Sequence, residues 1–138
     1  MIRQEIDIDG WWRVTVFYTP WPEDAEEVTG VYEEIGCPPK DIATIRRVIN
    51  RGWMNKGVTY SSGWLRKSVV VIGRATSWGQ FFNTLLHEVK HVVDDITLWY
   101  DVENIGEPPA YLQGEIGRLM APAVIQIACP CCGLRYNS

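Results

Sequence analysis

Long apolar runs are missing from this sequence. No stretch approaches the ~18 residues that a bilayer span requires, so no segment is expected to cross a membrane. An excess of basic charge is missing too: 13 Lys and Arg against 17 Asp and Glu leave a net charge of −4. That balance argues against nucleic acid or an anionic membrane surface as the main partner. The opening residues, Met1-Ile2-Arg3-Gln4-Glu5, run straight into alternating polar and apolar positions without a signal-peptide core, so a cytoplasmic location is expected. Internal repeats and low-complexity tracts are absent. Histidine is nearly so, with only His87 and His91, four positions apart. Any chemistry that needs imidazole must use that pair.

What is present suits one folded unit. A chain of 138 residues fits a single domain, expected over residues 1–128, followed by a Cys-rich tail at 129–138. Hydrophobic residues make up 46% and charged residues 22%, near globular averages, which excludes general disorder. Seven tryptophans point to a small core built on large aromatic anchors. The four cysteines stand at 37, 129, 131 and 132, too crowded at one end for an ordinary disulfide framework. Reduced thiols are the expectation.

Residues 2–18 read as two strands about the Asp9-Gly10 turn dipeptide. Acidic residues at the start and Gly36 at the end mark a helix over 23–35. Apolar residues at 42, 45, 48 and 49 predict another over 40–51. Residues 57–62 and the β-branched run 68–73 read as strands. A long helix follows over 78–98, with Thr76 or Ser77 as its N-cap. After a linker at 100–106, Pro108 and Pro109 suit the first turn of a last helix reaching about Ile127, with a kink at Pro122. The order predicts an α+β fold, its helices segregated against a small antiparallel or mixed sheet.

Chemistry concentrates at His87-Glu88-Val89-Lys90-His91, an HExxH motif in the middle of the long helix. Residues i and i+4 share a helix face, so both imidazoles can reach one Zn²⁺. Glu88 lies about 100° round from His87, near enough to act on a metal-activated water without ligating the ion. The flanking apolar residues, among them Phe81, Leu85, Val89 and Val92, are what a buried helix face needs. A catalytic zinc usually has three protein ligands and one open position. No third histidine exists, and Asp94 stands where a metzincin extension would need glycine. A carboxylate from the next helix is therefore expected, either Glu107, sixteen residues after His91, or Glu115, twenty-four after it.

The HExxH helix followed by Glu107-Pro108-Pro109-Ala110, a Glu-x-x-Ala pattern, resembles the gluzincin metallopeptidases. The short single-domain members, the minigluzincins and the ImmA/IrrE-like proteins of bacteria and phages, are the most similar in scale. The resemblance spans roughly residues 57–121. It implies a zincin-like fold, Zn²⁺ held by His87, His91 and Glu107, and Ala110 packed against the active helix. It also implies that the strand at 69–72 is the edge along which a peptide or protein substrate aligns, and that Glu88 is the general base.

Several residues carry two readings. Asp94 is either a carboxylate that orients a metal-bound histidine or an exposed helix end. Tyr111 either offers its hydroxyl to a tetrahedral intermediate or simply packs. Gly114 and Gly117 read as close contacts between the last two helices. Cys129-Pro130-Cys131-Cys132-Gly133 matches half of a zinc ribbon, or is a reduced tail. Two functions follow: a zinc-dependent peptidase, or a metal-bound regulatory module that recognises a partner and cuts little.

Overall fold

A computed structural model of the chain describes residues 1–128. The Cys129–Cys132 cluster and the tail reading lie outside the described residues. Strands β1 (Ile2–Ile8) and β2 (Trp12–Tyr18) form an antiparallel hairpin with Ile6 opposite Val14. Its turn needs left-handed backbone at both Asp9 (φ 49°) and Gly10 (φ 78°), the two residue types that tolerate it. Helices α1 (Ala25–Glu34) and α2 (Pro39–Asn50) come next, then β3 (Gly57–Ser62) and β4 (Lys67–Ile72). The long helix α3 covers Trp78–Trp99 and α4 covers Glu107–Ala128. The Ser77 hydroxyl caps α3 by accepting from the Gln80 N–H at 3.1 Å, satisfying one of the orphan donors of its first turn.

The sheet is mixed, in the order β1-β2-β4-β3. β2 and β4 run parallel, with Val16 beside Val70, whereas β3 and β4 are antiparallel, with Thr59 beside Val70. Strand alternation sends Trp12, Val14, Val16, Val70 and Ile72 to one face, where they meet Phe81, Leu85, Val89, Val93 and Ile96 of α3 and Ile116 and Met120 of α4. Phe17, Val69 and Val71 point to the other face, against Val28 and Tyr32 of α1 and Ile45 of α2. Helices thus cover both faces of the sheet, two on each, because β2 and β4 are apolar on both sides. Each of these buried side chains contributes roughly 1.5–3 kcal/mol of hydrophobic stabilisation. No helix among the described residues is long and apolar enough to cross a membrane.

Two local expectations change. The strand at 69–72 is not an edge: β4 is hydrogen-bonded on both sides, and the edges are β1 and β3, with β3 the one on the β4 side. An uninterrupted apolar run is what burial on both faces demands, and an interior strand is the usual place for one. Gly114 and Gly117 are not close contacts, since a Cβ at either would meet nothing within 4 Å. α4 packs instead through Ile116, Met120, Ala123 and Ile127. Cys37 is buried and free, its thiol pushed up to about 11 by burial, with Asp41 and Glu33 adding to the effect.

Candidate metal centre

α3 carries its core residues on one side and His87 and His91 on the exposed opposite side. The two Nε2 atoms stand 3.1 Å apart, with the rings nearly perpendicular at 79°. A single ion about 2.0–2.1 Å from each nitrogen would span that gap at an angle of roughly 100°, close to tetrahedral. Ligating atoms of His87, Glu88 and His91 all lie within 4.8 Å of one another, the one such group of metal-binding residues among the described residues. This His-Glu-His cluster can hold a metal ion.

Glu88 points inward, only 4% exposed, between α3 and β3. The Thr59 hydroxyl donates to its Oε2 at 2.6 Å. Burial raises the Glu88 carboxyl above its ordinary value, and the Thr59 hydrogen bond and the two histidines offset this only in part. Thr59 faces α3 because it alternates with Val58, and sequence reasoning missed it because nothing local ties residue 59 to residue 88. Gly57 has the same origin: a Cβ there would lie 2.7 Å from Glu88 Cγ and 2.7 Å from the Val71 carbonyl oxygen. Gly57→Ala is therefore expected to lower unfolding free energy by about 1–3 kcal/mol, the usual cost of overpacking, measured by denaturant titration.

β3 presents an open edge beside this cluster. The Gly73 N–H donates to the Lys56 carbonyl at 2.8 Å, which sets the phase of the antiparallel ladder. Val58 and Tyr60 therefore bond to β4, while the N–H and C=O groups of Gly57, Thr59 and Ser61 point outward. No described residue hydrogen-bonds those groups. A groove follows this edge: Asn83, Thr84 and His87 line one hollow, and His87, Glu88, His91 and Asp95 line the next with Gly57 and Thr59.

The other expected residues lie elsewhere. Asp94 is held by Lys90 Nζ and by Asn104 Nδ2 rather than by either imidazole. Burial would raise its carboxyl, but those two hydrogen bonds prevail and it sits below its ordinary value. Glu107 is exposed as the first residue of α4, with Pro108 and Pro109 in the first turn as expected. Glu115 is gripped by Arg118 at 2.6 and 3.0 Å. Neither glutamate joins the His-Glu-His group. Tyr111 is 74% exposed on α4 and lines neither hollow beside the histidines. Asp95, one turn beyond His91, does reach the groove. Its i+8 relation to His87 was the available signal.

Comparison with known proteins returns no matching family model, no curated relative and no matching solved structure.

Proposed function

We propose that this chain is a zinc-dependent peptidase of zincin-like, gluzincin type. The observation that carries the reading is the pair of imidazole nitrogens 3.1 Å apart with the Glu88 carboxylate beside them, at an unpaired strand edge. When bound, zinc supplies a Lewis acid that acidifies water and polarises a carbonyl. An extended peptide would add to β3 through the outward N–H and C=O groups of Gly57, Thr59 and Ser61, as strand-addition recognition requires. Glu88 would take the proton of the attacking water and pass it to the leaving amine, and Thr59 would hold the carboxylate in place.

Glu107 is the third ligand in this reading, which requires its carboxylate to move to the histidines from where the structure places it. The hydrogen bond from Asn104 to Asp94 ties the linker to the turn of α3 that bears His91, and Glu107 follows three residues later. Glu115 already has its charge offset by Arg118. Glu107→Gln should therefore weaken zinc binding much more than Glu115→Gln, measured by competition with a chromophoric chelator. The reverse ranking would move the ligand to Glu115. A cytoplasmic location belongs to the same reading, with the free buried Cys37 in keeping with a reducing compartment.

The direct test is a peptide-library digest by zinc-loaded protein, repeated after chelation and after zinc is restored. Cleavage that is lost and regained supports the peptidase. A regulatory module has one observation in its favour, that neither Glu107 nor Glu115 stands with the histidines. Zinc binding with no cleavage of any peptide would select it.

A further inference from the structure

Beyond the histidines, toward the C-terminal end of α3, the groove opens into a hollow of about 420 Å³ lined by Trp12, Thr59, Ser61, Asp95, Leu98 and Trp99. Asp95 and Thr59 also line the hollow at the metal cluster, so the two are continuous. The Trp99 indole is pinned over the end of β3. A Cβ on Gly63 would lie 2.0 Å from it, so only glycine lets the ring approach, and Trp64 braces it edge-on at 5.4 Å.

Asp95 is held ready by a relay of hydrogen bonds. The buried Trp12 Nε1 donates to Ser68 Oγ at 3.0 Å, Ser68 Oγ lies 2.7 Å from Ser61 Oγ, and Ser61 Oγ lies 2.7 Å from Asp95 Oδ2. The two ends fix the direction of every bond. Indole can only donate and a carboxylate can only accept, so Ser61 donates to Asp95 and Ser68 donates to Ser61. Three aligned hydrogen bonds thus end on one carboxylate and fix its orientation. Asp95 has no cationic partner among the described residues, and its Oδ1 accepts no hydrogen bond from them. Neither hollow contains a lysine or arginine.

We propose that this hollow is a specificity pocket for a basic side chain, lysine or arginine, of the peptide bound along β3. Asp95 receives the cationic head and the Trp99 ring covers the aliphatic stem and offers its face to the charge. The inference rests on the peptidase reading for the bound peptide, but not on cleavage.

The test uses blocked peptides in pairs that differ only as arginine against citrulline or lysine against norleucine. Binding to the zinc-loaded Glu88→Gln protein is read by calorimetry, and cleavage by the unmutated protein is followed in parallel. The basic member should bind roughly 10-fold tighter or more. Asp95→Asn should erase that difference while leaving the neutral peptide's affinity and the zinc content unchanged. Ser61→Ala should reduce it partly. Equal binding of both members, which needs no pocket variant to detect, overturns the proposal. So does a preference that survives Asp95→Asn, or loss of zinc in that variant, which would assign Asp95 to the metal. A preference found only with unblocked peptides would place the peptide's own amino terminus there instead, and overturns the side-chain assignment. Asp95-dependent binding without any cleavage would keep the pocket and reject the peptidase. Cleavage without preference would do the opposite.

Discussion

Glu88→Gln is expected to keep zinc at the level of the unmutated chain and to lower peptide hydrolysis by about 10²–10⁴-fold, the usual share of general acid–base catalysis. Amidation preserves size and leaves the two imidazole nitrogens untouched, because the Glu88 side chain turns inward to Thr59 while His87 and His91 face solvent. What is lost is the group that accepts a proton. The amide can still receive the Thr59 hydrogen bond through its oxygen, so the fold around it should hold. The check is metal analysis beside rate measurement on a peptide found in the library digest. Equal rates at equal zinc would remove Glu88 from the chemistry.

His87→Ala or His91→Ala should abolish stoichiometric zinc binding and all zinc-dependent hydrolysis. Each histidine supplies one of two nitrogens 3.1 Å apart, and no third histidine exists to replace either. Both are exposed, so their truncation leaves no core cavity, and thermal stability of the metal-free protein should change little. Metal analysis and a melting curve on chelator-treated protein separate these effects. Retention of a full equivalent of zinc by either variant would place the metal elsewhere.

The parts of the site that were legible in the sequence are those that helix periodicity alone produces. Histidines at i and i+4 share a face wherever the helix runs, so their convergence required no knowledge of the fold. The same holds for Glu88 turning away from that face, and for Ser77 and Pro108 marking helix starts. The two strands about Asp9-Gly10 were legible because a left-handed turn restricts which residues can make it. Asp94 and Asp95 show where periodicity stops being enough. Adjacent on one helix, they differ by about 100° in direction, and what decided their roles was which neighbour stood on each side. Lys90 and Asn104 took Asp94, while Ser61 on β3 took Asp95.

The sequence by itself determined the face that carries both histidines, the buried stripe opposite it and the identities of the eight elements. The tertiary structure alone decided which strands are the edges, and with β3 as one of them, the groove. Once β4 pairs with β2 in parallel and β3 closes the hairpin, β4 is interior and the open hydrogen-bonding groups belong to Gly57, Thr59 and Ser61. The same pairing brings Thr59 to Glu88, and Trp12, Ser68 and Ser61 into line on Asp95. The physical reason is the range of the forces involved. Helix faces follow from a repeat of about 3.6 residues along one stretch of chain. Strand order, by contrast, is settled by hydrogen bonds and burial between segments far apart in sequence, which no local pattern records.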